Sequence, residues 1–468
     1  MTQQTQDPAP TFDVAVVGAG AVGSATASAL VRAGFHVLLL EAGSDVGAGT
    51  SKANTAIWHT GFDAKPGTLE ARLVARGYEL LAERAEAFNW PLEPVGAVLV
   101  AWDAEQLARL DAIRSSALAV GYSRISVLTV DEVYRAEPQL GPGVTGGLAV
   151  PDEGLLDPWT ITLALASDAV GNGASLYTSA RVHTASRRDG YWHLHWPGGS
   201  ARARWVVNAA GLHSDEVNRL FNYDGFTITA RRGQLIVFDK LARSLVQHIV
   251  LPVPTATTKG VLVSPTVYGN VLLGPTAEDL ADRTATQTTQ DGLAGLLNHG
   301  ARIMPALVDQ EITATYAGLR AATEHADYCY EFHRDDKYVC AGGIRSTGIS
   351  SCLAIAEEIV KHLAEVGEQP LPPSNPVTVP MPNLAEARLR PYQDAAAIQR
   401  DHTYGALICL CERVSQGEVR DALAATIPAV DLDGIRRRTR ALTGRCQGFH
   451  CGASLEAMLT AAGHHADS

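Results

Sequence analysis

The stretch "VVGAGAVGSATASAL", residues 16–30, places three glycines in the pattern Gly18-x-Gly20-x-x-Gly23. The residues around it predict a strand, a helix and a second strand, at 12–17, 22–32 and 36–40. A glycine loop between strand and helix is typical of a βαβ unit that holds a dinucleotide. The glycines allow a tight turn, a close approach of backbone to pyrophosphate, and close packing of helix on strand.

Glu41 stands at the tip of the second predicted strand, 23 positions after Gly18. An acid at this place can accept hydrogen bonds from both ribose hydroxyls and repels a 2'-phosphate, so NADP is disfavoured. The N-terminus of the predicted helix offers N–H groups and a partial positive charge to phosphates. The loop alone is compatible with both FAD and NAD.

Composition limits the classes of function. The chain has 468 residues, room for two or three domains, and a net charge of −12, which argues against a general nucleic-acid binder. Residues 1–11 are polar and predict a disordered tail without a signal core. No stretch approaches the roughly 18–20 apolar residues of a membrane span, so we expect a cytoplasmic protein.

A proline-rich segment marks the clearest domain boundary. Residues 367–383, "GEQPLPPSNPVTVPMPN", contain six prolines and predict an extended linker, placed at 371–400. Before it, residues 12–370 form one long α/β region; after it, residues 401–468 are short and helical.

Further strands are predicted inside the long region, and two of them meet in a hairpin at Gly269-Asn270. We therefore predict a doubly wound α/β domain with an inserted mixed-sheet (α+β) substrate domain, and a small helical C-terminal domain. The quoted landmarks are 201–217, 231–239, 259–276 and 337–363.

Four of the seven cysteines lie in the last 60 residues, as Cys409-x-Cys411 and Cys446-x4-Cys451. In a cytosolic chain such clustering indicates metal more than disulfides. Four thiolates from two loops can hold a [2Fe–2S] cluster or a zinc ion. Between the pairs, the capping box Ser415-x-x-Glu418 predicts one helix, and a second helix is predicted to end at Gly444.

Three quoted segments carry a family resemblance: "EAGSDVGAGTSKANTAIWHTGFDAKPGTLEARL", "VVNAAGLHSDEV" and "GGIRSTGISS". Together they resemble the D-amino-acid-oxidase-like superfamily of FAD enzymes, and within it the anaerobic-type FAD-dependent glycerol-3-phosphate dehydrogenases. The cysteine spacing resembles the bacterioferritin-associated-ferredoxin-like [2Fe–2S] module fused to such dehydrogenases. This favours the cluster over zinc, because a redox domain beside a flavin makes an electron path.

The resemblance implies an extended FAD. The three loop glycines would face the pyrophosphate, Glu41 the adenosine ribose, Val182 the adenine and Gly211 the pyrophosphate side. The segment 343–350 would cap the flavin, where a helix starting near Gly348 or Ile349 would aim its positive end at the reduced ring. The remaining implied FAD contacts are Thr50, Ser51, Asn54, Thr55, Gly343, Arg345 and Ser350.

His59 is the candidate base, with a core histidine that orients loops as the alternative reading. Arg320 and Arg345 are the candidate anion anchors, since a guanidinium grips phosphate or carboxylate with paired hydrogen bonds. An ion pair inside the domain interface is the alternative for both arginines. Lys52 is expected to steady the flavin loop, and the weaker candidates are His213, His325, Lys259 and Arg232.

The substrate implied by the resemblance is sn-glycerol 3-phosphate, oxidised to dihydroxyacetone phosphate. L-2-hydroxyglutarate, an opine or imino acid oxidised within a complex, and a redox-sensing or scaffold subunit are the alternatives. We expect electrons to pass through the cluster to an acceptor subunit or a quinone-linked protein at a membrane.

A cluster of five arginines precedes the second cysteine pair, at 436, 437, 438, 440 and 445. They could offset the charge of an anionic cluster, dock an acidic partner, or form a solvated helix face. Because a linker separates the two parts of the chain, we expect loss of the cluster to spare FAD binding.

Overall fold

A computed structural model describes residues 9–254 and 260–464 of the chain. None of the helices in these ranges is long and apolar enough to cross a membrane. The α-helices are α1 Ala21–Arg32, α2 Leu69–Phe88, α3 Ala104–Ala119, α4 Val130–Ala136, α5 Pro158–Gly171, α6 Ser214–Leu220, α7 Gln290–Ile303, α8 Pro305–Val308, α9 Gly348–Glu365, α10 Ala395–Arg400, α11 Gln416–Leu423, α12 Leu432–Thr439 and α13 Gly452–Ala461.

The first sheet has eight strands and carries the glycine loop. Four of its strand pairs are parallel, which is the arrangement of a doubly wound domain. Its strands are β1 Thr11–Val17, β2 Val37–Leu40, β9 Ser175–Tyr177, β10 Thr184–Arg188, β11 Tyr191–Trp196, β12 Gly199–Asn208, β19 Cys329–His333 and β20 Tyr338–Gly342.

The second sheet has nine strands and confirms the predicted mixed sheet. One of its pairs, β5 with β14, is parallel and its other pairs are antiparallel, and the predicted hairpin joins β15 to β16. Its strands are β5 Ala97–Ala101, β6 Ser126–Leu128, β7 Gly146–Val150, β13 Thr229–Phe238, β14 Ile249–Pro252, β15 Leu262–Pro265, β16 Val271–Gly274, β17 Glu278–Leu280 and β18 Ile312–Ala322.

Two small sheets complete the described chain. One joins distant segments in the order β3-β8-β4, and the other is a hairpin that carries Cys409 and Cys411. Their strands are β3 Ile57–Trp58, β4 Leu92–Glu93 and β8 Gly154–Leu156, and then β21 Leu407–Cys409 and β22 Val414–Ser415.

The predicted βαβ unit is β1, α1 and β2, and its packing explains the third glycine of the loop. A Cβ atom on Gly23 would lie 1.8 Å from the carbonyl oxygen of Gly18. Only glycine lets α1 start this close to the end of β1, so the glycine pattern is a packing requirement as well as a ligand motif.

The predicted linker segment is packed against the rest of the chain. Residues 366–390 contain no helix or strand, and α10 follows within the predicted linker range. The guanidinium of Arg32 donates to the carbonyl of Val377 at 3.0 Å, and Leu384 and Ala385 are buried. The boundaries at 370 and 400 stay predictions.

The predicted N-terminal tail falls mostly on residues 1–8, which lie outside the described residues. Its last residue, Thr11, is the first residue of β1, and the carbonyl of Pro10 accepts a hydrogen bond from Arg202 at 2.8 Å. Ordered structure therefore begins before residue 12.

The C-terminal domain is not separate from the first sheet, contrary to the expectation from its linker. Asp45, on the loop after β2, is 2% exposed and accepts hydrogen bonds from Arg437 and Arg438 of α12. Lys52 also reaches this domain, at 2.8 Å from Asp433, rather than bracing its own loop alone. Buried ion pairs thus join the two parts of the chain.

A second ion-pair network surrounds Arg440, where α12 ends in a left-handed conformation (φ 72°) rather than at Gly444. Arg440 is buried and bonds to Glu386 at 2.8 Å and to Glu412, while Lys240 bonds to both acids. The reading of the arginines as a solvated helix face is therefore wrong for Arg437, Arg438 and Arg440, because their charges are paired inside the chain.

We predict that the contact around Glu386 is sensitive to acid. Partial burial by itself raises the pKa of Glu386, but hydrogen bonds from Lys240 and the charge of Arg440 outweigh burial and lower the pKa from 4.5 to about 2. The stabilisation is therefore complete above about pH 4.5 and is lost as the pH falls toward 2. Glu386→Gln should lower the free energy of unfolding by ~1–2 kcal/mol at pH 7, because water screens part of this half-exposed group.

Chemical denaturation of both proteins at pH 7 and pH 3.5 measures this effect, and the difference between them should shrink at the lower pH. Glu357→Gln is the control: Glu357 pairs with Arg76 on the surface, 3.1 Å away. Its loss should change the free energy of unfolding by less than about 0.5 kcal/mol. An equal difference at both pH values would contradict the prediction.

Candidate functional site

A cavity of about 1780 Å³ lies along the glycine loop and between the two large sheets. Small-molecule pockets usually measure about 300–1,000 Å³, so this one has room for a dinucleotide and a substrate together. Every predicted cofactor residue except Gly23 lines it. They are Gly18, Gly20, Glu41, Thr50, Ser51, Asn54, Thr55, Val182, Gly211, Gly343, Arg345, Gly348, Ile349 and Ser350.

Glu41 fixes the backbone around the glycine loop through its carboxylate. Its carboxylate accepts hydrogen bonds from the amides of Ala19 at 2.8 Å and Gly43 at 2.7 Å. Gly18 has φ +103°, and a Cβ there would lie 2.5 Å from the carbonyl oxygen of Ala209. The loop therefore passes close to β12 with its backbone exposed to the cavity, and the role of Glu41 toward a ribose stays a prediction.

The segment 50–55 forms one side of the cavity as a fixed loop. The Thr50 hydroxyl donates to the carbonyl of Leu319 on β18 at 2.9 Å. The Asn54 side chain donates to the carbonyl of Ser51 at 2.9 Å and accepts from the amide of Ala56 at 2.7 Å. The bond from Thr50 ties the loop to the second sheet, and the two bonds of Asn54 fix the shape of the loop itself.

Helix α9 begins at the cavity with Gly348, as the sequence predicts. The hydroxyl of Thr347 does not cap this helix, because it donates to Glu70 at 2.8 Å, and the first turn contains no acid. The first amides of a helix have no partner within it and carry partial positive charge. The start of α9 therefore favours a negative charge in the cavity.

His59 lines the cavity and is paired with Glu153, a residue that sequence reasoning missed. Nδ1 of His59 lies 3.1 Å from the Glu153 carboxylate, which also accepts from the amide and hydroxyl of Thr60 at 2.7 and 2.8 Å. Glu153 is fully buried. A carboxylate at Nδ1 favours the tautomer with its proton there, so that Nε2 carries the lone pair.

No local signal marks Glu153. It stands opposite His59 because β3 and β8 are antiparallel, with Trp58 paired to Gly154. Only the long-range register of these two short strands brings the acid and the imidazole together.

Arg320 projects from β18 into the cavity. Burial, and then the charge of Arg231, lower the pKa of Arg320 to about 10. Among the described residues no carboxylate lies within ion-pair distance of its guanidinium, whose Nη1 donates only weakly to the carbonyl of Thr276, at 3.4 Å. A partly buried cation without a carboxylate partner favours a bound anion.

Arg345 also lines the cavity, but its guanidinium already has partners within the protein. Its guanidinium donates to the carbonyl of Ala326 and lies 3.7 Å from Glu70. Arg345 is therefore placed as the alternative of an internal ion pair expects, although its side chain remains 29% exposed.

The weaker candidates lie elsewhere. Arg232 does not line the cavity and binds Glu278 at 2.7 Å. His325 is exposed outside the cavity, with Nε2 3.1 Å from the carbonyl of Gly225. His213 lines the cavity near Val182, paired with Glu216 at 3.0 Å. Lys259 lies outside the described residues.

The four C-terminal cysteines lie together as two thiol pairs. Cys411 interacts with Cys446, and Cys409 with Cys451. Hydrogen bonds from the backbone amides of residues 448–450 outweigh burial and lower the pKa of Cys446. Among the described residues no three His, Cys, Asp or Glu side chains form a finished metal site. Four neighbouring thiols with amide donors nevertheless fit the donor set of an iron–sulfur cluster.

The remaining cysteines, Cys329, Cys340 and Cys352, are free and buried in the core, as predicted. Burial raises the pKa of each of these thiols. They therefore behave as small apolar side chains.

Comparison with known proteins identifies the family. Residues 13–362 match the model of the DAO family, described as FAD dependent oxidoreductase, and residues 407–461 match the BFD-like [2Fe-2S] binding domain. The chain is 35% identical over 444 residues to a glycerol 3-phosphate dehydrogenase from Caloramator mitchellensis, covering 94% of this chain and 92% of that protein.

Two further comparisons agree with this match. A glycerol 3-phosphate oxidase from Mycoplasma pneumoniae is 30% identical over 363 residues, covering 75% of this chain and 94% of the oxidase. The solved, FAD-bound structure of L-alpha-glycerophosphate oxidase from the same organism is similar at a TM-score of 0.74 and 28% identity, covering 79% of this chain and 98% of that one. The chain therefore belongs to the DAO family of FAD-dependent oxidoreductases, with FAD and a C-terminal [2Fe–2S] cluster as its cofactors.

Proposed function

We propose that the enzyme oxidises sn-glycerol 3-phosphate to dihydroxyacetone phosphate, acting as a dehydrogenase. The observation that carries this proposal is Arg320, a partly buried guanidinium in the cavity without a carboxylate partner among the described residues. A phosphate monoester would supply the missing anion through charge-assisted hydrogen bonds. The names of the relatives from Caloramator and Mycoplasma support the same substrate.

In this proposal each group of the chain has one task. Arg320 binds the phosphate and thereby orients the carbon that bears the hydroxyl. His59 takes the hydroxyl proton at Nε2 as the carbonyl forms, and Glu153 holds the imidazole and offsets its new charge. Bound FAD supplies the acceptor for the hydride that leaves the same carbon.

The first test combines two substrates with two proteins. Under anaerobic conditions glycerol 3-phosphate should bleach the flavin of the wild type far faster than glycerol, which lacks the phosphate. Arg320→Ala should lose ~2–4 kcal/mol in kcat/KM for glycerol 3-phosphate, with little change for glycerol, because only the charged contact is removed. Stopped-flow flavin absorbance measures both rates.

Arg232→Gln is the matched control, because Arg232 lies in the same sheet but is paired outside the cavity. Its kcat/KM should stay within about 2-fold of the wild type. Faster bleaching by L-2-hydroxyglutarate or an imino acid would replace the proposed substrate, and no bleaching by any of them would indicate a scaffold.

The pair formed by His59 and Glu153 gives a second prediction. His59→Gln should lower kcat by about 10²–10⁴-fold, the usual contribution of a general base. Glu153→Gln should lower kcat by roughly 10–100-fold and leave KM nearly unchanged, since Glu153 positions the base without touching substrate. Steady-state kinetics separates kcat from KM for both variants.

His325→Gln serves as the control, because His325 lies outside the cavity. It should match the wild type in both parameters. If His59→Gln retains full kcat, His59 is a structural histidine and the base lies elsewhere.

We further propose that electrons leave the enzyme through the C-terminal domain, since a [2Fe–2S] group carries one electron at a time. Cys446→Ser should then keep substrate-dependent flavin bleaching but lose at least 10-fold in turnover with a bulky one-electron acceptor such as cytochrome c. The wild type should make peroxide only slowly. FAD content must be measured in both proteins, because Gln447 lines the cavity.

Equal turnover in wild type and Cys446→Ser, at equal FAD content, would contradict this route. Fast peroxide production by the wild type would instead indicate an oxidase. A partner subunit or quinone-linked protein is the proposed natural acceptor.

A further inference from the structure

The C-terminal domain supplies part of the cavity that holds FAD. Six of its residues line this cavity, and we call them the C-terminal wall. They lie on α12 and on the loop that joins α12 to α13. The six are Asp433, Arg436, Arg437, Leu442, Thr443 and Gln447.

Where the C-terminal wall meets the loop after β2, cationic side chains outnumber carboxylates. Its ion pairs connect four cations with only two carboxylates, Asp45 and Asp433. A third acid, Asp431, accepts from the amide of Gly434 at the start of α12, at 2.6 Å, and even with its charge counted the cations outnumber the carboxylates by four to three. The four cations are Lys52, Arg436, Arg437 and Arg438.

Arg436 is the least satisfied of these cations. Arg437 and Arg438 are buried and bonded to Asp45, and Lys52 lies 2.8 Å from Asp433. Arg436 has only Asp433, at 3.5 Å, and its Nε is buried without a hydrogen-bond partner in the described chain. Its side chain is 42% exposed, on the wall of the cavity.

We propose that the C-terminal domain is a structural part of the FAD site, in which Arg436 binds the anionic part of the cofactor. FAD carries two negative charges on its pyrophosphate, and the surplus cation on the wall matches them. The ion pairs of Asp45 hold the wall in place. This inference is independent of the substrate, because it concerns retention of FAD alone.

Reciprocal linkage follows from this arrangement. If the docked wall tightens FAD binding, FAD must stabilise the docked wall by the same factor. Cofactor loading and the position of the cluster-bearing domain are then coupled, so that the enzyme with FAD bound keeps its C-terminal domain against the cavity.

Arg436→Gln in the full chain tests the direct contact. FAD is removed from the protein, and the Kd for added FAD is measured by the change in flavin fluorescence. The Kd should rise roughly 10-fold, as for loss of one hydrogen bond to a charged group. Arg420→Gln is the matched control: this arginine of α11 is 46% exposed and paired with Asp401, away from the cavity, and its Kd should equal that of the wild type.

Hydrogen exchange of the wild-type chain tests the linkage and does not depend on a variant that folds. FAD should slow exchange of the amides of residues 432–439 at least several-fold. Asp45→Asn should raise the Kd for FAD and reduce this protection. An unchanged Kd in Arg436→Gln, or exchange in residues 432–439 that does not respond to FAD, would overturn the proposal.

Discussion

The buried carboxylate of Asp45 is the contact on which the arrangement of the two parts of the chain depends. Asp45 lies on the loop after β2. Its carboxylate accepts hydrogen bonds from the amide of Val46, at 2.8 Å, and from the guanidinium groups of Arg437 and Arg438. Burial opposes its ionisation, yet the two arginines outweigh burial and lower its pKa. Removing one partner of such a buried set typically costs about 3–5 kcal/mol, because a charge is left without compensation. The same carboxylate therefore fixes the loop after β2 and the domain that bears the cluster.

The sequence correctly predicted those features that depend on residues close together in the chain. The glycine spacing located β1, α1 and β2 within one residue of their observed ends. The hairpin at Gly269 follows from the conformational freedom of glycine, and the capping box of Ser415 and Glu418 forms as its spacing requires. Each of these features is settled by neighbours within a few positions, so one sequence is sufficient to find it.

Contacts between residues that lie far apart in the chain could not be predicted from the sequence. Glu153 meets His59 only through the register of two short strands that lie far apart in the chain. The arginines of α12 look like a solvated face, because nothing near them in sequence shows that Asp45 will meet them from almost 400 residues away. Arg345 likewise matched an anion anchor by its motif, while its partner Glu70 stands on α2, far away in the chain.

The pairing of Arg345 bears on the kind of anion that the cavity selects. A dicarboxylate needs compensation at both ends, whereas a phosphate monoester needs it at one. Arg345 lies 3.7 Å from Glu70, so its charge is partly neutralised, whereas Arg320 is a partly buried cation of the cavity without a carboxylate partner among the described residues. The start of α9 adds only partial charge, at the place where the cofactor ring is expected. A guanidinium without a carboxylate partner and an imidazole held by a carboxylate, both lining one cavity, therefore favour a substrate with a single anionic group and a hydroxyl, such as glycerol 3-phosphate, over one with two carboxylates.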